Sequence, residues 1–184
     1  GKITAYKPGH KNNTKFEKYL KKIMKEKINK TAPKIDFTKE PLYNKEKIKS
    51  ILPHRDPFLF IDEIREIGDD YIVGVKFVKD SEDYFKGHFP GRPVVPGVII
   101  VESMAQVGGV LIYRSFEEEF LGKSPALVGI DNVKFKSPTL PDEQLTIETF
   151  LVKRKLGIFK LSAKAYKNSE LVVEADITAT ILKD

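Results

Sequence analysis

Two side chains in this sequence have the chemistry for paired proton transfers. His88 stands in a run crowded with Gly and Pro, and Glu102 follows fourteen residues later within an apolar stretch. An imidazole titrates near neutral pH, so it can take up a proton there. A carboxyl among apolar groups is costly to ionise and tends to hold a proton, which it can then donate. Taken alone, Glu102 also fits a carboxylate paired with Lys or Arg, and His88 alone fits a satisfied structural residue. Together they form an acid/base pair. A third element joins them at Pro96-Gly97. A helix starting there leaves its first amide N–H groups without intrahelical acceptors, at the positive end of the dipole. Such donors can hold the negative charge that develops on a thioester carbonyl. A base, an oxyanion site at Gly97-Val98 and an acid are what elimination of water from a 3-hydroxyacyl thioester requires.

Other chemistries are poorly served. The chain has no Cys and only three His (His10, His54 and His88), which removes thiol nucleophiles and makes a multi-His metal site improbable. No dinucleotide Gly fingerprint, phosphate-binding loop, nucleophile elbow or H-E-x-x-H helix is present. No cofactor or metal is expected. His54 reads as structural.

These residues need a frame. The loop His88–Gly97 holds Pro90, Pro93 and Pro96 within seven residues, and each proline locks its own φ and restricts its predecessor. The stretch Val98 to Phe116 reads as a helix apolar on nearly every face, hence buried on all sides. Val98, Glu102, Gln106 and Gly109 share one face of it by spacing, and Gly108-Gly109 allows close contact with a sheet. Upstream, Asn44 can cap a helix over Lys45 to Leu52. Phe58 to Ile67 and Tyr71 to Val78 read as strands about the turn Gly68-Asp69-Asp70. Downstream, Ala126 to Phe135, Leu145 to Lys155, Phe159 to Lys167 and a final strand from Leu171 to Ile181 follow. The last alternates most clearly, and Asn168-Ser169 precedes it as a hairpin turn. Two strands, one apolar helix, then four strands in a meander predict an α+β fold with an antiparallel sheet around the helix.

The front of the chain differs. Residues 1–50 carry 15 Lys and no Arg against 5 acids, a net +10, while residues 51–184 carry 17 basic and 21 acidic residues, a net −4. Residues 1–43 read as a basic, Lys/Asn-rich, flexible extension, in which the spacing of Phe16, Tyr19, Leu20 and Ile23 predicts a short amphipathic helix around 15–29, and residues 44–184 as the folded domain. The extension lacks the Arg and interleaved aromatics of a nucleic-acid arm. The longest uncharged run in the apolar stretch, Ser103 to Tyr113, falls well short of the roughly twenty residues that cross a bilayer. Neither nucleic acid nor membrane is an expected partner.

The run Gly87-His88-Phe89-Pro90-Gly91-Arg92-Pro93-Val94-Val95-Pro96-Gly97-Val98, with Glu102-Ser103-Met104-Ala105-Gln106, resembles the signature of the (3R)-3-hydroxyacyl-acyl-carrier-protein dehydratases of type II fatty acid synthesis. Leu52-Pro53-His54-Arg55, Pro57-Phe58-Leu59, Gly129-Ile130-Asp131 and Phe135-Lys136-Ser137-Pro138 support the likeness, which runs from about Ile48 to Leu182. The resemblance implies a hot-dog fold and a homodimer or trimer of dimers, with His from one subunit, Glu from its neighbour and an acyl tunnel between them. It assigns His88 and Glu102 to the catalytic pair and Gly97 to the carbonyl-binding amide. Val98 and Gln106 then fall among the substrate-binding positions, with Tyr84, Phe85 and Phe135 as tunnel-wall candidates. This chain departs from the family at Asp56 and at Ala126-Leu127-Val128, where an aromatic is frequent; that bears on the tunnel gate. The implied partner is acyl carrier protein, which is acidic, and Lys86, Arg92, Arg114, Lys134 and Lys136 are candidates to meet it. Two other readings are a thioesterase of the same fold and a non-catalytic acyl-binding module. The Lys/Asn composition resembles an AT-rich genome and a plastid enzyme such as that of the malaria parasite's apicoplast; the alternative location is a bacterial cytoplasm.

Overall fold

The structure is a computed structural model and describes residues 32–116, 120 and 123–182. The helix expected over 15–29 lies outside the described residues. In chain order the elements are α1 (Lys45–Ile51), β1 (Glu63–Ile67), β2 (Tyr71–Phe77), a 3₁₀ turn (Asp83–Lys86), α2 (Gly97–Ser115), β3 (Pro125–Phe135), β4 (Gln144–Lys155), β5 (Ile158–Lys167) and β6 (Glu170–Ile181). Every strand pairing is antiparallel, and α2 packs on one face of the sheet, the expected α+β hot-dog arrangement.

Strand order is β1-β2-β4-β5-β6-β3. The expected four-strand meander therefore holds only for β4, β5 and β6. β3 crosses to the far edge and pairs with β6, Ile130 opposite Ile177 and Phe135 opposite Val173. Period-2 patterning marks a strand but carries no record of its neighbour, which is why sequence order misplaced β3.

α1 begins where the Asn44 side chain accepts from the Lys47 N–H at 2.9 Å. It stops at Leu52, which is extended ahead of Pro53. β1 starts at Glu63 instead of Phe58. The reason is a helix side chain: the Phe60 N–H donates to Gln106 Oε1 and the Phe58 carbonyl accepts from Gln106 Nε2. That backbone is satisfied without a ladder partner, so it need not be a strand. Ahead of α1, Tyr43 bridges to Ile64, and the Arg65 guanidinium lies 4.8 Å from the Phe37 ring centroid. The compact unit begins at Ala32.

α2 is the core. Met104, Val107, Val110 and Leu111 are fully enclosed, each contributing about 1.5–3 kcal/mol by removing apolar area from water. By length and composition α2 could cross a membrane, but the sheet packs on it and most of it is buried. Helix and sheet approach closely at Gly108, where a Cβ would lie 2.5 Å from Leu161 Cδ1 and 3.1 Å from Thr149 Cγ2. Gly109 instead faces Leu52, so only the first of the glycine pair meets the sheet.

Two hairpins carry positive φ at both turn residues, as two-residue turns of this hand require. Asn168 and Ser169 have φ of 46° and 71°, as the turn sequence predicts. Leu156 and Gly157 have 51° and 75°. Leucine rarely adopts that conformation, and Leu156 is 91% exposed.

Candidate active site

The loop that carries His88 is built from its own backbone. The Val94 N–H donates to the His88 carbonyl at 3.0 Å, Arg92 N–H to Phe89 O at 3.0 Å, and Val95 N–H to Thr139 O at 2.8 Å. Gly91, at φ +75°, makes the turn. His88 Nδ1 sits 2.8 Å from the Val94 carbonyl. A carbonyl only accepts, so Nδ1 carries the proton and Nε2 keeps its lone pair. The imidazole is thereby set up as a base through Nε2. Its ring stacks on Phe89 with centroids 4.1 Å apart.

His88 lines a cleft of about 560 Å³ with Gly97, Val98 and Phe135. α2 opens beneath it, with Pro96 as N-cap and no capping side chain. Gly97 and Val98, whose amides begin the helix, line this cleft and no side chain caps them, while the Ile99 N–H donates to the Pro96 carbonyl. Phe135 presses on Gly97, where a Cβ would fall 2.5 Å from Phe135 Cε1.

Glu102 lies elsewhere. One turn along α2 from Val98, it lines a narrower cavity of about 240 Å³ with Gln106, Gly109, His54, Tyr113 and Leu127. Gln106 Nε2 donates to Glu102 Oε1 at 2.9 Å and to the Phe58 carbonyl at 2.8 Å, while its Oε1 accepts from Phe60 N–H at 2.9 Å. Both N–H donors of that amide are thus committed, and its oxygen is held by the Phe60 N–H, so Glu102 Oε1 is fixed. His54 Nε2 approaches the same oxygen at 3.7 Å. Burial first, with the Arg55 charge adding and Glu102 opposing, holds the His54 pKa below its usual value.

Of the residues singled out from sequence, the fold gathers His88, Gly97, Val98 and Phe135 on one side of the first turn of α2. It gathers Glu102 and Gln106 on the other. Within one chain, the clefts of the two proposed catalytic residues share no lining residue. Tyr84 lines a third cleft with Phe58 and Lys76, its hydroxyl enclosed and without a partner. Phe85 is a core residue, 8% exposed. Gln106 binds Glu102 and the 58–60 backbone. Among the described residues, no group of three His, Asp or Glu is placed to hold a metal ion.

Two buried polar pairs escaped sequence reasoning. Lys76, inside β2, is 2% exposed and bonds Glu82 at 2.7 Å. Glu148, in β4, accepts from the Tyr166 hydroxyl at 2.7 Å. Burial raises the pKa of both members of the latter pair. Lys76 and Glu82 line the third cleft with Tyr84, whereas Glu148 lines none of the three clefts; alternation in a strand gives no sign that a charged residue points inward.

Comparison with known proteins places these features in a family. The family model described as a FabA-like domain matches residues 52–176. A 3-hydroxyacyl-[acyl-carrier-protein] dehydratase FabZ of Syntrophobacter fumaroxidans is 45% identical over 135 residues, covering 73% of this chain and 91% of that protein. A bifunctional enzyme LpxC/FabZ of Porphyromonas gingivalis is 40% identical over 185 residues, covering all of this chain; the chain spans 40% of that protein's length. That alignment includes residues 1–43. Among solved structures, the dehydratase heterocomplex ApeI:P of Xenorhabdus doucetiae shares the fold, with a TM-score of 0.63 over 74% of this chain and 91% of that one at 16% identity. With a family model over most of its length and a near-complete relative at this identity, the chain belongs to the FabZ-type dehydratases of the FabA-like family.

Proposed function

We propose that this protein removes water from a (3R)-3-hydroxyacyl thioester on acyl carrier protein, giving the trans-2-enoyl thioester of fatty acid synthesis. One observation carries the reading: the Val94 carbonyl holds His88 Nδ1–H, leaving Nε2 as a base in a cleft that also contains the start of α2. His88 Nε2 takes the proton from the carbon next to the carbonyl. The electron pair moves toward the thioester oxygen, which the Gly97 N–H stabilises. The pair then returns to form the double bond as the C3–O bond breaks. Glu102 gives its proton to the departing hydroxyl, and water leaves. Proton exchange with solvent resets both groups.

Since the two clefts are separate within one chain, the pair meets across two subunits of a homodimer, alone or as one unit of a trimer of dimers. The edge strand β3 exposes Leu127, Val128, Ile130 and Phe135, and the start of α2 exposes Val98. An unpaired edge with apolar side chains is a ready template for a second copy.

The carrier partner is acidic, and the β4–β5 hairpin offers it a basic surface. Lys153 stands opposite Lys160, with Lys155 beside them, while the Arg154 guanidinium packs 3.9 Å from the Phe116 ring centroid. The tip lies by the 240 Å³ cavity, since Gly157 O accepts from the cavity-lining Thr180. Of the five cations singled out from sequence, Lys86 pairs with Asp83, and Lys134 and Lys136 both approach Glu174. Arg92 and Arg114 stay candidates beside the hairpin lysines Lys153, Lys155 and Lys160.

For location, both curated relatives described above are bacterial, which favours the bacterial cytoplasm over a plastid. The match of the Lys/Asn-rich extension inside a bacterial bifunctional protein points the same way.

The test is hydration of a crotonoyl thioester by the purified protein. Wild type is expected to turn over, and His88→Ala and Glu102→Gln each to lose about 10²–10⁴-fold in kcat. Near-normal turnover by either variant would overturn the assignment. Release of free thiol would identify a thioesterase instead.

A further inference from the structure

We infer that His54 is a positioning residue for the acid: with the Gln106 amide it claims Glu102 Oε1 as acceptor, leaving Oε2 as the oxygen that carries the proton. This rests on the dehydratase reading above and extends it to a side chain with no assigned role.

Three observations converge. His54 and Glu102 line the same cavity, with His54 Nε2 3.7 Å from Oε1. That is longer than a hydrogen bond, but catalytic contacts are often loose before substrate binds and tighten with it. Gln106 Nε2 already donates to that same oxygen and is locked by the 58–60 backbone. Finally, His54 Nδ1 is enclosed and has no hydrogen-bond partner. A histidine kept for structure would use that atom. With no acceptor near Nδ1, the proton of the neutral ring belongs on Nε2, which faces Glu102.

The charge state fits the role. The charged groups acting on the ring are Glu102 from α2 and Arg55 from its own segment. Arg55 Nη1 is held by the Leu52 and His54 carbonyls. Gln106 is neutral, and the β3 and β6 walls bring Ala126, Leu127, Ala179 and Thr180. Burial and Arg55 favour the uncharged ring. A neutral N–H can orient the carboxyl, whereas a cation there would hold it ionised and unable to act as an acid.

Dehydration of a 3-hydroxybutanoyl thioester across pH tests this with His54→Gln, His54→Leu and His54→Lys. The Leu variant is expected to lose about 10- to 100-fold in kcat, a donor to a charged group's worth, with KM nearly unchanged. Gln, whose amide N–H reaches the same place, should recover most of that loss. Lys should move the alkaline fall of kcat/KM to lower pH, because a permanent cation favours the ionised carboxyl. Wild-type rate and profile in the Leu variant would overturn the inference. So would a Gln variant no better than Leu. If Leu does not fold, the Gln and Lys variants decide it: an alkaline limb unmoved by Lys overturns it. A wild type without turnover would instead refute the dehydratase reading itself.

Discussion

Phe135, at the end of β3, lies against Gly97, the first residue of α2, so closely that no side chain fits between them. The amide proposed to hold the thioester oxygen is thus the floor beneath an aromatic ring that is itself half exposed. Adding a methyl group at residue 97 must displace that ring. Because the ring can swing outward, the cost should fall on the cleft and not on the fold. Gly97→Ala is expected to lower kcat/KM by about 100-fold, as misplacement of a reacting group by about 1 Å can do. Thermal unfolding should change little. A variant that keeps wild-type kinetics would remove Gly97 from the site.

The hairpin opposes two like charges, Lys153 and Lys160, in direct cross-strand register. Like charges so placed cost stability, by about 0.2–1 kcal/mol. Lys160→Glu should therefore raise the denaturation midpoint slightly while raising KM for substrate on acyl carrier protein. KM for a small crotonoyl thioester should stay the same. If both KM values are unchanged, the carrier docks on another surface.

Glu148 gives a pH-dependent prediction. Burial raises its pKa above the usual 4.5 despite the Tyr166 hydroxyl bond. A carboxyl with a raised folded-state pKa binds its proton more tightly when folded. Its relative stabilisation is present below 4.5 and is lost as pH rises through the folded-state value. Glu148→Gln keeps an acceptor for Tyr166 and carries no charge. Urea unfolding should show the variant more stable than wild type at pH 7, with the difference fading below pH 4.5. A constant difference across that range would mean that charge is not its cause.

Removing core volume from α2 should cost far more. Met104 is fully enclosed beneath the sheet, and Met104→Ala is expected to destabilise by about 2–5 kcal/mol. Gly108→Val should be worse tolerated than Gly109→Val. At Gly108 the new side chain would strike Leu161 and Thr149, while at Gly109 the neighbour is Leu52 at 3.3 Å. Equal thermal midpoints for the two would contradict the close approach described above.

The sequence by itself determined the local elements and the chemistry. The all-apolar helix, the alternation from Leu171 to Ile181, the Asn44 cap and the Asn168-Ser169 turn all have causes within a few residues. His88, Gly97 and Glu102 stand out because their types are unusual for their surroundings. Tertiary structure decided what depends on contacts distant in the chain. β3 joined β6 instead of β4, and Gln106, 46 residues from Phe60, replaced a strand ladder with side-chain bonds. Lys76 and Glu148 turned inward, where Glu82 and Tyr166 satisfy them. Above all, His54 was brought to the oxygen of Glu102, 48 residues away. A pattern of 3.6 or 2 residues records which face is buried, but it cannot record which distant group waits there.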